Sequence, residues 1–253
     1  MRQLRYAGHR RPVPTRGFRF FDPSNSLFTP MGRRALRGID PALDLAPYLK
    51  SFDDLHDAWT PSEWFCRNAP LELEVGSGKG LFLATASVEK PSHDFLGIEI
   101  SRKYARFSAA RLAKTKRSNA SILHGDAQQL IARYILPDSL TAAHVYFPDP
   151  WWKKRHRRRR VMNEPFLVNI ERTLIPGGRL HFWTDVKEYF QESLALLKQV
   201  TGLQGPLEVP LRPAEHDLDY RTHYERRTRL QDEPVFRAEF MKNETDPARS
   251  MAS

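Results

Sequence analysis

From Pro70 onward the chain repeats one unit: a short apolar run, a turn, then a segment whose apolar residues recur at helical spacing. LELEV (71–75) leads into a glycine turn and a helix through Leu81, Phe82, Leu83 and Ala86. DFLGIEI (94–100) precedes a long basic helix that Ser101 can cap and that runs to about Lys116. SILHGD (121–126) and AAHVYF (142–147) read as two more strands. Asn163 can cap a helix with Phe166, Ile170 and Leu174 on one face. Pro176-Gly177-Gly178 reads as a turn, RLHFWTD (179–185) as a fifth strand, and a helix follows through Tyr189, Leu194, Leu197 and Val200. Apolar strands alternating with helices predict an α/β fold, a mostly parallel twisted sheet with helices on both faces. Residues 207 to 240 are expected to add antiparallel edge strands, VFRAEF (235–240) being the clearest. Ahead of the sheet, a helical pattern runs from about residue 53 through Leu55, Trp59 and Phe65 and is broken by Pro61.

An open parallel sheet binds ligands outside the carboxyl ends of its strands. Here those ends carry Glu74 with Gly76, Gly78 and Gly80, then Glu99, Asp126, Asp149 and Asp185. If the topology holds, all five acids lie along one crevice. The turn EVGSGKG has the spacing G-x-G-x-G. A dinucleotide site wants a third glycine where Leu81 stands, and the G-x-x-x-x-G-K-[ST] of a phosphate loop is absent. G-x-G-x-G is the form seen in sheets that bind S-adenosylmethionine. Glu99, at the end of the next strand, stands where an acid takes the two ribose hydroxyls of an adenosine, which disfavours a 2′-phosphate.

FPDPWWKKRHRRRR, Phe147 to Arg160, places Asp149 between two prolines, next to Trp151 and Trp152, at the head of a cationic run. The prolines fix φ and remove donors, so this is neither a helix interior nor an inner strand. Two readings stand at this point: a solvated charge run, or an acid held in a rigid turn beside stacking rings and a track for phosphates. The net charge of +10 and pI near 9.9 favour a polyanionic partner, nucleic acid or an anionic membrane. A single cysteine, Cys66, rules out an internal disulfide and a thiolate metal cluster. His124, His144, His156 and His181 have no metal-ligand spacing, so no metal is expected. No run approaches the ~18 apolar residues of a membrane helix, and no early stretch resembles a signal peptide. A cytoplasmic protein is the expectation, with a monomer favoured. Residues 1–50, where Arg2, Arg5, Arg10, Arg11, Arg16 and Arg19 alternate with Tyr6, Phe18, Phe20 and Phe21, read as a flexible basic arm, solvating alone or ordering on RNA. Residues 51–243 form one domain and 244–253 a disordered tail.

LELEVGSGKG, GIEI, HGDA, YFPDPWWKKRH, FWTD and THYE occur in an order and spacing that resembles the bacterial tRNA (guanine-N7-)-methyltransferase family, over about residues 70 to 240. The resemblance implies a Rossmann-like class I methyltransferase fold, S-adenosyl-L-methionine as cofactor, tRNA as partner, and methylation at N7 of guanine 46 in the variable loop. By matched position, Glu74 with Gly76, Gly78 and Gly80 would hold the methionine end of the cofactor, Glu99 its ribose and Asp126 its adenine. Asp149 would stand at the methyl-transfer centre. Lys153, Asp185, Thr222, His223, Tyr224 and Glu225 would contact the substrate, and Lys154, Arg155, Arg157, Arg158, Arg159 and Arg160 the RNA backbone. Two departures affect loop geometry: Trp152 replaces the usual proline, and Gln231-Asp232-Glu233 replaces a glycine-containing stretch.

Guanine N7 offers a lone pair and no proton, so the expected role of Asp149 and Asp185 is to orient and stabilise, not to act as a base. Lys153 suits guanine O6 or a phosphate. Trp151 is expected in the core and Trp152 against the base. Two alternatives remain at this point: a methyltransferase on another RNA such as ribosomal RNA, and a non-catalytic RNA-binding module on the same fold.

Overall fold

The computed structural model describes residues 36, 38–209 and 220–244. The expectations for the arm up to residue 35 and for the tail from 245 on lie outside the described residues. From residue 38 on, the described residues belong to one compact unit, Arg37–Ser253.

In chain order the elements are β1 (Leu49–Lys50), α1 (Ser62–Phe65), β2 (Leu71–Val75), α2 (Leu81–Glu89), β3 (Asp94–Glu99), α3 (Arg102–Thr115), β4 (Ala120–His124), α4 (Ala127–Arg133), β5 (Leu140–Tyr146), α5 (Glu164–Thr173), β6 (Leu174–Thr184), α6 (Lys187–Val200), β7 (Gln204–Leu207), α7 (His223–Leu230) and β8 (Phe236–Met241). They build one eight-stranded sheet in the order β1-β4-β3-β2-β5-β6-β8-β7. The pairings from β1 through β6 are parallel, and β8 runs antiparallel to both β6 and β7. The chain steps outward from β2 to β3 and β4, then returns to lay β5 on the other side of β2. That reversal leaves a crevice at the carboxyl ends of β2 and β5.

The inner strands are buried on both faces because helices cover both. Leu71, Leu73 and Val75 of β2 pack in one cluster with Leu130 and Ile131 of α4, Phe166, Leu167 and Ile170 of α5, and Tyr189 and Leu197 of α6. On the other face, Phe82, Leu83 and Ala86 of α2 and Ala105, Ala109 and Leu112 of α3 meet Phe95, Ile122, Tyr146 and Trp183. Burying each large side chain of this kind is worth roughly 1.5–3 kcal/mol against leaving it in water.

Four local expectations need correction. The pattern between residues 53 and 65 is not one helix but a short 3-10 turn, Phe52–Asp54, followed by the single turn of α1. Ser101 stands at the start of α3 but makes no side-chain capping bond; its backbone N–H donates instead to Glu99. Pro176-Gly177-Gly178 lies within β6, where the pairing with β5 jumps from Leu140↔Leu174 to Ala142↔Arg179. Gly177, at φ +76°, and Gly178 bond instead to Lys242, which keeps the segment in the sheet. The sheet also begins inside the stretch assigned to the arm, since Leu49 and Lys50 pair with Ile122 and Leu123. Asn163 caps α5 as expected, accepting from the Phe166 N–H at 3.1 Å. Among the described residues, no helix is long and apolar enough to cross a membrane.

Candidate active site

The crevice has a glycine wall. Gly76, Gly78 and Gly80 all adopt positive φ, +79°, +53° and +66°. Gly80 is required by packing, since a Cβ there would sit 2.1 Å from Ser108 Oγ on α3. Gly76 and Gly78 face space: a Cβ on Gly76 would meet no atom within 4 Å, and one on Gly78 only the Gly76 carbonyl at 4.0 Å. The turn is tied to the next strand, with the Gly76 N–H donating to the Ile98 carbonyl at 2.8 Å. Glu99 ends that strand. Its two carboxylate oxygens accept from the Gly78 N–H at 2.9 Å and the Ser101 N–H at 2.8 Å.

Glu74 is 3% exposed, and its Oε2 has no hydrogen-bond partner. Burial pushes its pKa up to about 8, and the nearby Glu99 carboxylate adds to the rise. A buried carboxyl with one unpartnered oxygen beside an open glycine turn is a place prepared for a cationic or hydrogen-donating ligand. Asp126 lies two residues past β4 and caps α4, its Oδ1 accepting from the Gln128 N–H at 2.7 Å.

Across the crevice, the loop after β5 carries Asp149. Phe147 (φ +50°) and Trp151 (φ +45°) flank the Pro-Asp-Pro. Bulky residues rarely enter that region, and strain of this type costs about 1–3 kcal/mol each, so the surroundings must hold it. Asp149 Oδ1 accepts from the Trp151 N–H at 3.0 Å. Arg160 Nε donates to the Pro150 carbonyl at 2.7 Å, and its guanidinium pairs with Glu192 of α6. Arg159 lies 5.1 Å over the Trp151 ring, and His156 meets that ring edge-on at 5.8 Å.

These contacts set Arg160 apart from the rest of the cationic run. Arg160 is buried and pins the loop. Arg157 bridges Glu188 (3.0 Å) and Glu192 (2.8 Å) of α6. The physical reason is α6, which presents two carboxylates to this side of the run. Lys153, Lys154, Arg155, Arg157, Arg158 and Arg159 are exposed. Trp152 is 65% exposed, whereas Trp151 is half-buried as a clamp within the loop and does not sit in the core.

The third wall is α7. Thr222 caps it, its Oγ1 accepting from the Glu225 N–H at 3.0 Å. Glu225 is buried, accepts from the Arg221 N–H at 2.7 Å, and pairs with Arg229 and Arg237, each at 3.3 Å. Thr222 and Glu225 thus both help to build the start of α7. Tyr224 reaches across it: its hydroxyl donates to Asp185 Oδ2 at 3.0 Å, and its ring lies 5.0 Å from that of Phe147. His223 meets the Arg111 guanidinium at 2.8 Å. The five strand-end acids therefore lie at one end of one sheet, with Asp149 and Asp185 joined through Phe147 and Tyr224.

Beneath the site is a buried polar row that sequence reading did not assemble. Glu72 accepts from His144 Nε2 and Lys90 Nζ, each at 2.8 Å, and pairs with His93. The His144 ring stacks on His181 at 4.6 Å. Burial pushes the His144 pKa down to about 3, so the ring is neutral. Its Nε2 then carries the proton toward Glu72, and Nδ1 accepts from the Tyr146 hydroxyl at 2.9 Å. The signal for this row was period-2 placement of Glu72, Glu74, His144 and Tyr146 on one sheet face. Among the described residues, no group of three or more His, Cys, Asp or Glu is placed to hold a metal.

The glycine turn at the first inner strand, the acid at the second and the acidic loop across the reversal define a class I S-adenosylmethionine-dependent methyltransferase. The methyltransferase family model Methyltransf_4 matches residues 68–238. A tRNA (guanine-N(7)-)-methyltransferase of Rhodopirellula baltica is 50% identical over 218 residues, spanning 84% of this chain and 80% of that one. One of the same name from Myxococcus xanthus is 36% identical over 186 residues, 72% of this chain and 90% of that one. The chain belongs to the tRNA (guanine-N(7)-)-methyltransferase family. Among solved structures, an antibiotic-related methyltransferase superposes with a TM-score of 0.53 at 14% identity, over 72% of this chain and 92% of that one. The aminoglycoside resistance methyltransferase NpmB1 gives 0.50 at 18%, over 72% and 91%. These two likenesses bear on the fold alone.

Proposed function

We propose that this protein transfers a methyl group from S-adenosylmethionine to N7 of a guanine in tRNA, guanine 46 of the variable loop, giving 7-methylguanosine. The observation that carries the reading is the position of Asp149 on a strained, pinned loop across the sheet reversal from the glycine turn, Glu74 and Glu99. The names of the relatives from Rhodopirellula baltica and Myxococcus xanthus support it.

The residues present fit the cofactor. The open faces of Gly76 and Gly78 leave room for its methionine part, and the unpartnered Glu74 oxygen suits a cationic group. Glu99 would hold the ribose hydroxyls and Asp126 would stand at the adenine. The cofactor supplies an electrophilic sulfonium methyl when bound. Guanine N7 needs no deprotonation, so the protein's work is alignment and charge stabilisation. Alignment alone can account for as much as ~7–11 kcal/mol of barrier lowering. Asp149 and Asp185 accept from the guanine N1–H and N2 amino group, bonds that strengthen as positive charge reaches the purine. Tyr224 fixes the Asp185 carboxylate. Lys153 serves guanine O6 or a phosphate, and Trp152 is exposed for stacking on the base. Lys154, Arg155 and Arg158 meet the RNA backbone.

The test is methyl transfer to bulk tRNA lacking the modification, followed by nucleoside analysis and mapping of the methylated position. Label in 7-methylguanosine at position 46 is the expected result. Label in another nucleoside, or none, overturns it.

A further inference from the structure

Arg111, on α3, touches both walls of the crevice. Its Nε donates to the Lys79 carbonyl, inside the glycine turn, at 3.0 Å. Its Nη2 lies 2.8 Å from His223 Nε2 at the first residue of α7. A guanidinium has no acceptor, so His223 Nε2 accepts and its proton sits on Nδ1. One residue further on, Tyr224 bonds Asp185 and packs on Phe147, the first residue of the Asp149 loop. Three residues back on the same helix face, Ser108 sets the closeness of Gly80. The contacts form an unbroken series from cofactor turn to substrate wall: Lys79, Arg111, His223, Tyr224, Asp185.

Arg111 is half-buried, and desolvation lowers its pKa without ending its charge. It has no carboxylate among these contacts; what it holds is a turn carbonyl and an imidazole. The planar fork spans two partners in fixed geometry, which a lysine cannot do.

We propose that Arg111 is a positioning residue that couples the two binding events: a cofactor that orders the glycine turn fixes Arg111, and Arg111 fixes α7 with Tyr224 and Asp185 for the guanine. By linkage, tRNA must then raise cofactor affinity by the same factor as cofactor raises tRNA affinity. This rests on the methyltransferase reading above.

The experiment measures S-adenosylhomocysteine affinity calorimetrically, with and without unmodified tRNA, for the full chain and its variants. In the wild type, tRNA is expected to tighten cofactor binding by about 5-fold or more, the ordinary size of such coupling. In Arg111→Ala and His223→Leu that ratio falls to near one, and combining the two changes lowers it no further. His223→Gln, whose amide oxygen can accept where Nε2 does, keeps most of the ratio. Arg111→Lys, which retains the charge, loses it. A wild-type ratio in both Arg111→Ala and His223→Leu overturns the proposal. So does a wild-type ratio near one, or a loss in Arg111→Ala of equal size with and without tRNA, which a merely structural role would give. His223→Leu lies at a helix start and answers the question even if Arg111→Ala fails to fold. A wild-type chain that binds neither ligand and methylates no tRNA overturns the functional reading and the coupling together, whereas normal methylation with no coupling overturns the coupling alone.

Discussion

The guanidinium of Arg160 lies 4.5 Å over the ring of Tyr189. Its other contacts are the Pro150 carbonyl and Glu192, so a residue ten positions after Pro150 ties the Asp149 loop to α6. Phe147 and Trp151 can hold their positive φ because that tie, with the Trp151 clamp, over-determines the loop. The cationic run is therefore of two kinds, a buried pin and an exposed surface.

The two kinds are expected to fail differently. Arg160→Ala should lower stability by about 1–3 kcal/mol, the range for losing a buried hydrogen-bonded charge partner, and should lower kcat as the loop relaxes. Arg158→Ala should leave stability within about 0.5 kcal/mol and weaken tRNA binding, reducing the slope of log K against log salt by about one. Urea unfolding and tRNA titration at several salt concentrations separate them. An Arg160→Ala variant as stable as wild type, with a reduced salt slope, would return Arg160 to the RNA surface.

Asp149→Asn and Asp185→Asn should each reduce kcat, Asp149→Asn by about 10²-fold, the scale for removing a donor or acceptor matched to developing charge. An amide keeps the shape but loses the charge that opposes a cationic purine. Tyr224→Phe should act through Asp185 and cost less, because the carboxylate remains. Single-turnover methyl transfer at saturating tRNA isolates the chemical step. A wild-type rate for Asp149→Asn would mean that alignment alone suffices.

How much of this could be read from the chain differs by element. The strand and helix units from Leu71 to Val200 announce themselves because each buries an apolar face whose period is local. The glycine turn and the strand-end acids follow from that rhythm. α7 is different: HYERRTRL has little apolar character, and it is held by Glu225 against Arg229 and Arg237, an arrangement that exists only once β8 is in place. Composition likewise could not sort the arginines. Arg157 and Arg160 find Glu188 and Glu192 some thirty residues away, and nothing between residues 153 and 160 distinguishes them from Arg158. Arg111 is hidden for the same reason, since His223 is 112 positions distant.

His144 sets an acid limb. Its folded pKa, near 3, lies below the usual value of 6.5. As pH falls from about 6.5 toward 3, the unfolded chain binds a proton that the folded chain refuses, so stability declines on acidification and is fully present above pH 6.5. His144→Gln can still donate to Glu72 and accept from Tyr146 but does not titrate. It should flatten that limb by up to about 1.4 kcal/mol per pH unit. Thermal midpoints between pH 4 and 7 decide it, and parallel wild-type and variant curves would place the acid lability elsewhere.

Glu74 predicts the opposite slope on the alkaline side. Its folded pKa, about 8, lies above the ordinary 4.5 because burial, and then Glu99, disfavour the charge. Between those values the folded chain holds a proton that the unfolded chain has lost. The cofactor-free protein should therefore lose stability as pH rises from about 5 to 8, by up to about 1.4 kcal/mol per pH unit, and level off above. Glu74→Gln keeps the neutral form at every pH, so it should remove this slope and leave the variant more stable than wild type at pH 8. The same change should weaken binding of a cationic cofactor, since an ionised Glu74 is what the ligand would pair with. Unfolding midpoints from pH 5 to 9, measured without ligand, check the first part, and calorimetric titration with S-adenosylmethionine checks the second. A wild-type slope in Glu74→Gln would show that the buried carboxyl is ionised already, and that its charge is satisfied within the protein.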